Sequence, residues 1–379
     1  MRSTRFLLPL ILSTAALLSA CGGGDDKPVF GSVVSFGDSL SDVGTYQVGT
    51  IAALGGGKFT VNGTGGKVWT EFLSESLGTP TQCAARTGLL PNNGVTGAAV
   101  TDRAACLNYA QGSSRVNSSG TGPNGVALQA YGQQNLGFMA DSLKDQMDRH
   151  LAKIGGAYTG QELVTVNAGG NDLFMQMNGI AGAAGGGPVA VAGATIAGWP
   201  QSTIDVVALG GANATNAAIN AAGVAMGQAG ATLATYVKTL VLAKGAQFVI
   251  VRNLADVSLT PYGLSLDVGT RGLVNNLVQA FNAQLTAGLS GSAGLIVMDD
   301  YAQSADALAN PAKYGFANVT TPNCGPNNFG GSSIICNTTN LIAGVTTTYA
   351  FADSVHPTPY AHLKEAEKAL ELMVAAGWR

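Results

Sequence analysis

Residues Val33–Gly44 read VVSFGDSLSDVG. Val33, Val34, Ser35 and Phe36 make a short, mostly apolar run of the kind that forms a strand buried on both faces. Gly37 and Asp38 break it, and small and acidic residues follow. Ser39 therefore stands just past a strand end. A serine there can cap the next helix, as can Ser41. It can also be a nucleophile held at the rim of a sheet. The rest of the chain has to separate these readings.

Three further runs resemble the first: Leu163–Val166, Gln247–Val251 and Leu295–Met298. Helical patterns lie between them. Trp69–Leu77 is a short amphipathic stretch. Gln133–Ile154 is a longer one, with Leu136, Met139, Leu143, Met147 and Leu151 spaced by three or four. Ala217–Ala243 is alanine-rich, Gly272–Leu289 follows, and Pro359–Ala376 closes the chain with proline in its first turn. Strands alternating with helices predict an α/β sandwich around a mostly parallel sheet. In such sheets functional residues gather at the carboxyl ends of the strands. Ser39, Asn167–Asp172 (NAGGND), Asn253–Asp256 and Asp299–Asp300 all follow strands.

Of the 379 residues, 46% are hydrophobic and 11% charged, with a net charge of -3. No basic field points to nucleic acid as a partner. The three histidines do not pair with cysteines at zinc spacings, so neither a metal nor another cofactor is expected. No repeat or second core is evident, so 30–379 reads as one domain. Two Gly-rich segments, near 58–125 and 178–212, read as insertions, and loops of that length usually serve function.

The N-terminus reads as a processing segment. Arg2 and Arg5 precede an apolar Phe6–Leu18, so 1–20 is expected to be a secretory signal. Leu18-Ser19-Ala20-Cys21 resembles a bacterial lipobox, which would lipidate Cys21. Residues 21–29 then form a flexible tether. The expected location is the cell envelope, as an outer-membrane lipoprotein, or outside the cell. Four cysteines remain, an even number that suggests two disulfides in an exported chain. Of three pairings, loop length favours Cys83–Cys106 and Cys324–Cys336.

A serine nucleophile needs a base. His150 and His362 lie within helical stretches beside charged residues and read as surface groups. His356 lies in FADSVHPTPYAH, a loop broken by Pro357 and Pro359. Asp353, three residues earlier, can reach the ring nitrogen that faces away from the serine. Asp38, Asp42 and Asp172 read as braces for their turns.

Together these segments resemble the GDSL or SGNH hydrolases, a superfamily of esterases and lipases. FGDSLSDVG looks like the family's first block, NYAQGSSRV (Asn108–Val116) the second, AGGND (Ala168–Asp172) the third and DSVHP (Asp353–Pro357) the last. The resemblance implies a flavodoxin-like, five-stranded parallel sheet flanked by helices. It implies Ser39 as nucleophile, with His356 and Asp353 as base and acid. It implies an oxyanion hole from the N–H groups of Ser39 and Gly112 and the Asn171 amide. Ser113 stands where a second glycine is common. The expected activity is hydrolysis of uncharged short- to medium-chain esters by a monomer, with Trp199 and Phe174 as substrate contacts. A lysophospholipase, a carbohydrate deacetylase and a non-catalytic surface lipoprotein are the competing readings.

Overall fold

Four parallel strands carry the site, and their order follows from which runs can be buried on both faces. The computed structural model describes residues 27–91, 94–117 and 139–379. The signal segment and Cys21 lie outside the described residues. The strands of the main sheet are β1 (Ser32–Gly37), β4 (Glu162–Asn167), β5 (Phe248–Arg252) and β6 (Leu295–Met298), in spatial order β1-β4-β5-β6. All pairs are parallel. A small antiparallel hairpin, β2 (Arg86–Leu89) and β3 (Ala98–Asp102), lies apart.

The expected fifth strand is not a regular strand. Its lane beside β1 is taken by residues 107–111, whose backbone bonds β1 in parallel sense. Ser35 N donates to Leu107 O, Tyr109 N to Ser35 O and Gln111 N to Gly37 O. The Cys83–Cys106 disulfide ends just before this lane. With that lane counted, the order matches the flavodoxin-like arrangement, with its carboxyl-edge crevice.

Helices cover both faces. On one lie α2 (Leu143–Lys153), α3 (Gly170–Ala183), α6 (Gly211–Tyr236) and α7 (Val268–Leu289), packed on Val34, Phe36, Val164, Val166, Val249 and Val251. On the other lie α1 (Trp69–Leu77) and α9 (Pro359–Ala375), packed on Val33, Leu163, Ile250 and Met298. Adjacent strand residues thus serve opposite faces, as the pleat requires. Among the described residues no helix is long and apolar enough to cross a membrane.

Two expected elements differ. The helix read as Gln133–Ile154 begins at Leu143, because Ser142 and Asp145 form a reciprocal capping box there. Residues 133–138 lie outside the described residues, and Met139 packs instead near Tyr46 and Phe59. The 178–212 stretch is not an open loop. It holds the end of α3, then α4 (Gly187–Ala197), α5 (Gln201–Leu209) and the start of α6. Alanine is the best helix former, and the glycines fall mostly at helix ends.

Candidate active site

β1 delivers Ser39 through a tightly braced turn. A Cβ at Gly37 would lie 2.4 Å from Asn167 O, so the adjacent ends of β1 and β4 leave room only for glycine. Gln146 of α2 clamps both polar groups of that peptide: Oε1 accepts from Gly37 N and Nε2 donates to Gly37 O, each at 2.8 Å. Asp38 Oδ1 accepts from Leu40 N at 3.1 Å and from Asn167 Nδ2 at 2.7 Å. Ser41 Oγ donates to Asn167 Oδ1 and accepts from Trp69 Nε1. Ser41 is thereby tied into the packing, while Ser39 lines a cleft of about 330 Å³.

Asp353 and His356 reach the same cleft from the loop before α9. Ser39 Oγ lies 2.8 Å from His356 Nε2. His356 Nδ1 lies 2.7 Å from Asp353 Oδ2 and 2.9 Å from Oδ1. A carboxylate at Nδ1 keeps the proton there and leaves Nε2 to accept from the serine hydroxyl. Asp353 also accepts from Ser333 N at 2.7 Å, Val355 N at 3.0 Å and His356 N at 2.8 Å. Burial alone would raise this carboxyl. The charge of the His356 ring and the bonds from His356, Ser333 and Val355 outweigh burial and hold it well below the usual range. Phe59 packs on the His356 ring, with centroids 5.0 Å apart.

Of the groups expected to donate to an oxyanion, Gly112 N is already engaged. Gly112 N does not face the cleft unpaired; it donates to Asp42 Oδ2 at 2.8 Å. Asp42 also accepts from Gly44 N and Thr45 N, tying the nucleophile turn to the Gly112 loop. Burial pushes the Asp42 carboxyl up to about 6 against these three donors. Gly112 is needed for another reason: a Cβ there would meet the Phe59 ring at 2.1 Å. The next residue, Ser113, lines the cleft and has φ +74, the only positive φ outside glycine among the described residues. Its N–H and that of Ser39 carry no hydrogen bond among the described residues. Asn171, at the start of α3, lines the cleft and donates one amide hydrogen to Ser114 O at 2.8 Å. Asp172 beside it holds Arg115 and Val116 N, locking the two loops together.

Other expectations change with burial. His150 is buried, not exposed: its ring contacts Phe36, Tyr109 and Tyr158, and Nδ1 lies 3.2 Å from Tyr109 Oη. Burial, helped by the Lys153 charge, lowers its pKa to about 4. His362 is also buried, with Nδ1 2.9 Å from Glu365 Oε2. Trp199 is 1% exposed, bonded to Gln176, and lines no part of the cleft. Phe174 does line it, edge-on to Tyr262. At the end of β5, Arg252 pairs with Asp300 at 2.5 Å and Glu365 at 2.9 Å over the Trp69 ring. Among the described residues no group of three or more His, Cys, Asp or Glu side chains is placed to hold a metal ion.

The sequence reading missed Ser113, Phe59 and the Ser333 N–H. Only Ser113 carried a signal, as a departure from the glycine common in its motif.

Residues 33–197 match the GDSL-like lipase/acylhydrolase family. The match takes in Ser39, Ser113 and Asn171 and ends before Asp353 and His356, whose place rests on geometry. It makes the chain a carboxylic ester hydrolase, and the parallel sheet agrees with the GDSL-like fold. No curated protein matches the chain.

Proposed function

We propose that the protein hydrolyses uncharged carboxylic esters of short to medium acyl length through an acyl-enzyme on Ser39. The observation that carries the reading is the unbroken contact line from Ser39 Oγ through His356 to Asp353. His356 Nε2 takes the hydroxyl proton as Ser39 Oγ bonds to the ester carbonyl carbon. The charge on the carbonyl oxygen is met by the N–H groups of Ser39 and Ser113 and by the second amide hydrogen of Asn171. Collapse breaks the bond to the alcohol oxygen, which receives the proton from His356. Water then repeats the sequence, releasing the acid and restoring the serine. Ser113 in place of Gly112 is favoured because its N–H carries no hydrogen bond among the described residues and it lines the cleft.

Export and attachment through a lipid on Cys21 are part of the same reading. They are supported by the basic and apolar N-terminus and by two disulfides, Cys83–Cys106 and Cys324–Cys336. The test of substrate class is a panel of p-nitrophenyl acetate, butyrate, hexanoate and octanoate beside a lysophospholipid and an acetylated sugar. The simple esters should give the highest kcat/KM. A lysophospholipid or sugar ester preferred by about tenfold or more would overturn this substrate assignment.

A further inference from the structure

A second cavity of about 130 Å³ adjoins the cleft, and Leu40, Arg252, Ala255, Thr260, Asp300 and Val355 line both. Leu40 follows Ser39 and Val355 precedes His356, so chain neighbours of both reacting residues form the wall shared by the two spaces. Its farther walls are mostly apolar, with Ala307 and Leu308 of α8 (Asp300–Ala309) beside Phe316, Phe351 and Pro357, and polar Gln303 and Ser304 among them. The cations at its edge are already paired. Arg252 is held by Asp300 and Glu365, and Lys364 bonds Glu367 at 2.9 Å. Among the described residues no free positive charge is left there to hold an anionic headgroup.

We propose that this side cavity receives the acyl tail of the substrate, and that Ala307 and Leu308 set the chain length accepted. The proposal rests on the reading of Ser39 as an ester-cleaving nucleophile. During turnover the alcohol must leave while the acyl group stays bonded to Ser39. The larger cleft, which Phe174, Tyr262 and Gly330 also line, has room for the alcohol. The apolar cavity beside Leu40 is left for the tail. Its volume is close to the ~150 Å³ of an apolar cavity that takes up benzene, which suits a tail of about six carbons. The 178–212 stretch, expected to choose the substrate, lines neither cavity.

The experiment measures the ratio of kcat/KM for p-nitrophenyl hexanoate to that for the acetate. Each buried methylene is worth a factor of about four, so the ratio should be of order 10² in the native enzyme. Ala307→Trp, at a half-buried helix position, should fill the cavity and lower that ratio at least tenfold (roughly three methylenes excluded at most). Leu308→Ala should move the optimum toward octanoate. Hexyl acetate, with its chain on the alcohol, should lose no more rate than ethyl acetate in Ala307→Trp. An unchanged ratio in both variants, or a selective loss on hexyl acetate, overturns the proposal. Failure of the underlying reading is separate: hydrolysis of all these esters would then survive Ser39→Ala.

Discussion

Replacing Gly112 with alanine would place a Cβ 2.1 Å from the Phe59 ring, which itself packs on His356. Overpacking of this kind costs about 1–3 kcal/mol. Gly112→Ala should therefore lose both stability in urea unfolding and turnover, because the displaced ring disturbs the base. Asn171→Ala should separate the two effects. Its kcat should fall by ~10²–10³ with KM little changed, since the donor acts on the transition state. Its stability should drop only by about 1 kcal/mol for the bond to Ser114 O. A raised KM with unchanged kcat would make Asn171 a binding residue instead. His150 offers a pH test. Its folded pKa, about 4, lies below the ordinary 6.5, so the unfolded chain binds more protons between these values. Its contribution is complete above pH 6.5 and is lost as pH falls toward 4, about 3 kcal/mol in all. His150→Phe, which keeps an aromatic ring among Phe36, Tyr109 and Tyr158, should lose correspondingly less stability between pH 7 and 4.5. Equal losses in denaturant titrations would contradict a buried neutral histidine.

At the scale of elements, the Cys324–Cys336 loop links covalent structure to the site. Ser333 lies inside it and donates its N–H to Asp353. Closing a loop of 12 residues stabilises by roughly 3 kcal/mol in the chain-entropy model. The double variant Cys324→Ala/Cys336→Ala should lose about that much stability. It should also lose kcat, as Asp353 loses a fixed donor; full activity would show that the bond from Ser333 is dispensable. The same scale shows what the sequence could tell. The four sheet strands were legible because each is a short run flanked by turn residues, apolar enough to be buried on both faces. The edge lane 107–111 was not, because Leu107-Asn108-Tyr109-Ala110-Gln111 shows neither a continuous apolar run nor a strict period of two. The buried histidines were legible in principle. His150 lies on the stripe of Leu143 and Met147, and His362 on that of Ala366, Ala369 and Met373. Charged neighbours such as Arg149 and Glu365 masked a helical period that pointed inward. The proposed donor at Ser113 was legible only to within one residue, because an irregular loop has no period to fix which N–H faces the cleft.

In the molecule as a whole, three distant parts of the chain meet at one sheet edge. The turn after β1 brings Ser39, the loop pair brings Ser113 and Asn171 as the proposed donors, and the loop before α9 brings Asp353 and His356. Acting together, these parts are expected to make Ser39 nucleophilic. A fluorophosphonate probe tests this directly, because it bonds covalently to a serine only when a base has activated it. Peptide mapping after labelling should find the phosphonyl group on Ser39 alone. Ser39→Ala, with an unchanged circular dichroism spectrum, should take up none. Label found on another serine, or retained in Ser39→Ala, would contradict the account.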